Sequence, residues 1–528
     1  MTFERVKEKF ATKTARYVLF ALFFACLFLF IRGYQFNTDD QAEHLPQVYQ
    51  LIDPALYPHD YFVTEYHHTY SLRSVFVWVV YSLSFLAPVS VVCFVLTLLC
   101  ITLSVYSFMR ITEFYTPNKI TVYVAPFLVF FLFYKFTLGG NTITQSCCIC
   151  STIALSLAAY GLLLFLRKNY FGMAMALGIG TLFQVMDAAQ PFFLLALFMM
   201  TRFRIIGLKT LFFTVVIYLI FAGGMLFPML YHQFVIHYSY DAKLYAYIQY
   251  FFRNPNHFVP SHFPVLDYLC FVILMFVGLG QLLEKVNSAY RWFSFLTGNF
   301  IVVGCIIYFV CFEVFQEYWI AKTQFFKSTM WIASMSSVFI AIGLVERLPK
   351  TLDAELIINN VRRISLIGIP ILLFILLNSA MLPIPKLQGR YMIGNYKKTD
   401  LTLMHEWIAG HTDKDKTILT FPSDFSFACE AKRSMPIGWK AIIHEPFFMM
   451  PWYKKFRDVY STALVSLHGN DALTVADSCY QKILYAPEHP PVKIDYRMDD
   501  ITKCTFVDAL GKEIHRQGNY ILTEFKSY

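Results

Sequence analysis

The residues best suited to chemistry follow an apolar run at Tyr17–Ile31: Phe36-Asn-Thr-Asp39-Asp40-Gln-Ala-Glu43-His44-Leu-Pro46. Two adjacent carboxylates, with a third and an imidazole close behind, are the groups that take a proton from a hydroxyl or orient it for attack. Thr38 with Gln41 three residues on spells a capping box, which predicts a helix to about Ile52 with Asp39 and Asp40 in its first turn. There the helix dipole favours both ionised forms while mutual repulsion raises one pKa. Ala42, Leu45, Tyr49 and Ile52 recur at helical spacing and predict an apolar face suited to lying on a bilayer. The plain alternative is that the acids only cap an interfacial helix.

Other signals carry less. Asp187 lies between two short apolar runs and is a candidate because acids among spans are costly. Asp413-Lys-Asp415 has the spelling of a metal-binding D-x-D but sits in the polar stretch His411–Lys416, which reads as a solvated turn. His67 and His68 are adjacent and cannot share a helix face, which argues against a metal site built from them alone. No Gly-rich phosphate loop, H-E-x-x-H or G-x-S-x-G occurs, so NTPase, zinc protease and serine hydrolase chemistry has no support.

The elements that must position these residues are membrane spans. Of 528 residues, 57% are apolar, 18% aromatic and only 15% charged, with a mean hydropathy of +0.51, whereas soluble chains carry about 25% charged residues. That composition excludes disordered, collagenous, coiled-coil and disulfide-scaffold classes. A crossing needs roughly 20 apolar residues. Eleven runs qualify, near Tyr17–Ile31, Pro88–Met109, Thr121–Phe136, Ser146–Leu166, Phe171–Met186, Gln190–Thr201, Leu208–Leu230, Pro264–Gln281, Phe293–Phe312, Ser328–Val345 and Ile364–Leu382. No small-residue cleavage site follows the first run, so it is expected to remain as a span.

If the N-terminus is cytoplasmic, the inside segments hold more than twice as many Lys and Arg as the outside loops before the tail. The block Phe171–Thr201 has basic flanks on both sides, so it is expected to turn back at Asp187-Ala-Ala-Gln-Pro191. Net charge is +9, and its excess lies in these inside segments, which argues for topology and against nucleic-acid binding. The expected architecture is an α-helical polytopic membrane protein of about eleven crossings. It comprises a membrane module over residues 1–383 with a large first outer loop at 32–87, and a small extracytoplasmic α/β domain over 384–528. In that tail, helices are predicted at Thr399–Gly410 and Pro451–Gly469, and strands at Thr417–Phe421, Ile483–Ala486 and Tyr520–Phe525. Nine of twelve cysteines lie in or beside apolar runs and read as buried apolar residues, while Cys429, Cys479 and Cys504 could supply one disulfide.

The Asp39-Asp40 pair with Glu43-His44, the Asp187–Pro191 turn and Arg253-Asn-Pro-Asn-His257-Phe-Val-Pro-Ser-His262 resemble the GT-C superfamily of polytopic membrane glycosyltransferases. The layout resembles it along the whole chain; the residues do so only at these places. The resemblance implies that Asp40 or Asp39 is the catalytic carboxylate, with Glu43 and His44 beside the substrate and Asp187 a further substrate-binding candidate. It implies hexosyl or pentosyl transfer from a polyprenyl-phosphate sugar to a lipid, glycan or protein acceptor on the outer face of the cell membrane. The donor phosphate needs cationic partners, for which Arg253, His257, His262, Lys322 and Lys327 are candidates; a divalent cation, Mg or Mn, on the acids would serve the same end. Two other classes stay open: a transporter or flippase of a lipid-linked or anionic substrate, and a non-catalytic envelope assembly protein.

Overall fold

A computed structural model describes residues 3–38, 40–68, 71–236, 238–286, 288–349, 353–379, scattered positions over 382–393, then 398–460, 469–482, 494–502 and 511–525. All eleven apolar runs fall on helices. Seven helices are long and apolar enough to cross a membrane: Thr12–Arg32, Val89–Tyr115, Leu208–Phe234, Val265–Lys285, Tyr290–Val314, Tyr318–Glu346 and Ala354–Asn378. The chain is therefore a polytopic helical membrane protein. The other four runs form shorter helices, Lys119–Leu132, Cys150–Leu166, Tyr170–Phe183 and Val185–Thr201. At 1.5 Å per residue even a 17-residue helix such as Cys150–Leu166 covers about 25 Å of a roughly 30 Å hydrocarbon layer.

The turn expected at Asp187–Pro191 lies three residues upstream. Gln184 is extended (φ −149°, ψ 110°) and separates the two short helices, which leaves Asp187 in the first turn of the second helix and Pro191 inside it. Proline there removes one N–H bond, to the carbonyl four residues back, and the helix tolerates the loss.

Backbone contacts group the chain into two units. The first takes residues 1–34, 94–230 and 256–391. In it the helix Phe3–Arg32 packs on Ala354–Asn378, and Val265–Lys285 packs on Thr329–Glu346. The second pair approaches so closely at Gly278 that a Cβ there would meet Ser336 Cβ at 2.4 Å, the small-residue contact by which helices associate in lipid.

The second unit takes residues 35–93, 231–255 and 392–528. The first outer loop thus groups with the tail, where the sequence had been divided after residue 383. The tail carries a mixed four-stranded sheet. Ile418–Leu419 runs parallel to Tyr496–Asp500, which pairs antiparallel with Tyr520–Phe525, which pairs antiparallel with Gly511–Gln517 through a bulge between Glu513 and His515. Helix Asp400–His411 packs on the last two strands, and its N-cap Thr399 accepts the Thr402 N–H.

These elements match the expected helix at Thr399–Gly410 and the expected strands at Thr417–Phe421 and Tyr520–Phe525. The strand expected at Ile483–Ala486 lies outside the described residues. The helix expected from Pro451 begins at Pro446 with Pro451 inside it, and Gly469 opens a further helix, Gly469–Lys482, where a helix end was expected. Cys429 is buried in the helix Phe427–Ala431; Cys504 and the Cys479 side chain lie outside the described residues.

Candidate functional site in the second unit

The acidic motif lies at the start of helix Gln41–Ile52, two residues later than its spacing predicts. Asp40 is the N-cap, and the Gln41 side chain turns back to accept the Asn37 N–H at 2.9 Å, so the local box closes on Asn37 in place of Thr38. Asp39 lies outside the described residues. The helix does not present one apolar face to a bilayer: every residue from Gln41 to Val48 is buried, Glu43, His44 and Gln47 included. It is enclosed by helices Ser74–Ser84 and Phe427–Ala431 of the same unit.

Burying those polar groups forces them to find partners. Glu43 is paired with Arg73, whose guanidinium also donates to the Ile442 carbonyl. Burial pushes the Glu43 carboxyl up to about 7; Arg73, Arg253 and Lys440 oppose the rise and Asp40 adds to it. His44, whose ring meets Phe76 edge-on, is pushed down to about 3, first by burial and then by Arg73. Arg253 is held over the Trp439 ring, 4.9 Å from its centroid, and its Nε donates to the Trp439 carbonyl at 3.0 Å. Burial lowers Arg253 to about 10, while Glu43 and Asp40 pull it back up. Lys440 Nζ lies 3.7 Å from Asp40 Oδ1, and the Asp40 side chain is 46% exposed. The accessible carboxylate is therefore Asp40, and the one tuned toward neutrality is Glu43.

Beside this cluster is a cavity of about 30 Å3 whose lining includes Glu43, Asp60, Asp424, Trp439 and Lys440. Asp60 accepts the Val63 and Met435 N–H groups, each at 3.0 Å. Burial raises its carboxyl to about 6 against those bonds. Behind the cavity, His405 is fully buried between two acids, with Nε2 3.0 Å from Asp424 Oδ2 and Nδ1 2.8 Å from Glu430 Oε2. Both ring nitrogens face carboxylates, so both must donate and the ring is an imidazolium. Burial alone would depress it, but Asp424 and Glu430 outweigh burial and hold it at about 9.

The other sequence candidates belong to the first unit. Lys327 Nζ lies 3.4 Å from Asp187 Oδ1, and both are largely buried. Gln190, one turn on, donates to the Thr323 and Gln324 carbonyls and accepts from Ser328. This is polar glue between helices, and it draws Asp187 and Lys327 into one structural pair. His257 Nδ1 is 2.8 Å from the Gly139 carbonyl oxygen. His262 and Lys322 are exposed. Of the five predicted phosphate partners, only Arg253 is grouped in the unit that holds Asp40.

Arg73, Lys440, Asp60, His405, Asp424 and Glu430 escaped the sequence reading. Arg73 meets Glu43 30 residues away and Asp60 reaches Met435 375 residues away, while Asp424 and Glu430 lie 19 and 25 residues from His405, spacings that match no helix or strand period. The Asp413–Asp415 turn is solvated as expected, with Lys414 reaching Asp53. Among the described residues, no three His, Cys, Asp or Glu side chains are arranged to hold a metal ion. Asp40 and Glu43 face Lys440 and Arg73.

Fold and site together define a helical membrane protein with a charged, largely buried cluster in its second unit. A family described as a domain of unknown function, DUF6798, matches residues 399–459, the segment that carries His405, Asp424, Glu430, Trp439 and Lys440. No curated protein matches the chain.

Proposed function

We propose that the protein is a GT-C-type membrane glycosyltransferase that moves a sugar from a polyprenyl-phosphate carrier to an acceptor on the outer face of the membrane. The N-terminus is cytoplasmic, the chain crosses eleven times, and the second unit faces outward. The observation that carries the proposal is the grouping of Asp40 and Glu43 with Arg73, Arg253 and Lys440 in one unit of a polytopic membrane protein.

Asp40 accepts the proton of the attacking acceptor group as that group bonds to the anomeric carbon. The bond from that carbon to the phosphate oxygen breaks, and the carrier leaves as its phosphate. The growing negative charge is met by Lys440, with Arg73 and Arg253 behind it, in a site already partly cleared of water. Glu43, buried against Arg73, offsets part of that positive charge when ionised.

The test is transferase activity in membranes containing Asp40→Asn protein. Loss of about 10²- to 10⁴-fold is the expected effect of removing a general base, and full activity would refute the assignment. A carrier of an anionic or lipid-linked substrate is the second reading, supported by the Asp187–Lys327 pair among apolar helices. It requires that neutralising Asp187 abolish substrate movement.

A further inference from the structure

The cavity beside the acidic cluster has one wall whose hydrogen bonding is incomplete. Asp424 is 3% exposed, and its Oδ2 is saturated by His405 and by the Thr420 hydroxyl, both at 3.0 Å. Its Oδ1 is buried and has no hydrogen-bond partner among the described residues. A buried carboxylate oxygen left unpaired loses its hydration with nothing in return, and buried polar atoms in native proteins are nearly always satisfied. Asp424 lines the cavity of about 30 Å3, which is room for one or two water-sized groups.

Three features define the missing partner. It must be a hydrogen-bond donor, since Asp424 Oδ1 only accepts. It must be small, because the cavity admits no ring. A neutral hydroxyl suits it: Asp424 already faces the His405 imidazolium, and an ammonium group would share the small space with Lys440.

We propose that this cavity is a subsite for one hydroxyl group of a sugar, with Asp424 Oδ1 accepting its hydrogen bond and His405 fixing the Asp424 orientation. This rests on the glycosyltransferase reading for the identity of the ligand as a sugar. It adds to that reading a specificity-determining residue outside the acidic motif: the enzyme selects sugars whose hydroxyl reaches Asp424, and rejects the deoxy analogue because the carboxylate oxygen is then left unpaired.

The test is binding, without turnover. The full-length protein in lipid nanodiscs is examined by saturation-transfer NMR against methyl glycosides of glucose, galactose, mannose and arabinose, each with its set of monodeoxy analogues. At least one glycoside should bind, and one of its monodeoxy analogues should bind roughly tenfold or more weakly, the effect of losing a hydrogen bond to a charged acceptor; equal binding by every monodeoxy analogue overturns the proposal.

Asp424→Asn should weaken the parent glycoside by a similar factor. Gly438→Ala offers a second route that leaves Asp424 and His405 intact. Its new Cβ meets Ala441 Cβ at an ordinary 3.5 Å, so the chain folds, yet the methyl enters a cavity that Gly438 lines; binding should again fall. The proposal is overturned if no glycoside in the panel binds the wild type, or if both variants bind as the wild type does. A glycoside that binds by these rules while no polyprenyl-phosphate sugar is ever consumed would sink the transferase reading and leave the subsite standing.

Discussion

Replacing His405 with glutamine tests the electrostatics behind the site. The imidazole is raised from 6.5 to about 9 in the folded protein, which corresponds to about 3 kcal/mol of folding free energy. A base with a raised folded pKa contributes that stability in full below pH 6.5, and the contribution is lost as pH rises through about 9. The second unit holds about 220 residues, and in units of that size 1 kcal/mol moves the melting midpoint by about 2–4 °C. The wild-type midpoint should therefore fall by roughly 6–12 °C between pH 6.5 and 9. Glu43 and Asp60 titrate near 7 and 6, so the upper half of that window isolates His405. His405→Gln should melt lower at pH 6.5 and stay flat above pH 7.5, because nothing remains between Asp424 and Glu430 to lose a proton there. Differential scanning fluorimetry across this range is the assay. Parallel wild-type and variant curves above pH 7.5 would refute the imidazolium assignment.

Further outcomes follow from other parts of the structure. Glu43 stays protonated up to about pH 7, so wild-type kcat/KM should rise through an inflection near 7, and Glu43→Gln should lack that inflection; an unchanged profile would exclude Glu43 from the site. Asp187→Asn strips Lys327 of its carboxylate among apolar helices and should destabilise the first unit by about 3 kcal/mol. Adding Lys327→Met should recover most of that loss in the same melting assay. Gly298 and Gly278 should answer alanine with opposite signs. A Cβ on Gly298 meets nothing within 4 Å, so the midpoint should rise by the helix-propensity gain of up to about 1 kcal/mol. A Cβ on Gly278 collides with Ser336, including its Cα at 2.7 Å, and the midpoint should fall.

How far the sequence could be read depended on the range of the interaction. Spans were legible because one apolar helix satisfies its own backbone and carries its signal in a single run of residues. The helix at Asp400–His411 and the strand at Tyr520–Phe525 were legible because each likewise carries its pattern in a single run of residues. Asp40, Glu43 and Arg253 stood out as charges in a chain that has few. Local period misled at Gln41–Ile52, where an amphipathic pattern predicted an interfacial helix but Glu43, His44 and Gln47 are all buried, Glu43 against Arg73 and His44 against Phe76. Arg73, Asp424 and His405 have no local signature at all; Arg73 pairs with Glu43 30 residues away and His405 with Asp424 19 residues away, separations that no local period marks. The pairing of Lys327 with Asp187, 140 residues away, is invisible to local pattern for the same reason.

The most direct measurement is incubation of the purified protein with a panel of polyprenyl-phosphate sugars and a membrane extract supplying acceptors, followed by mass spectrometry of the lipid products. One donor should be consumed with release of polyprenyl phosphate, and Asp40→Asn should abolish that release. A panel in which no donor is consumed, or in which the Asp40→Asn protein releases carrier at the wild-type rate, would contradict the proposed function.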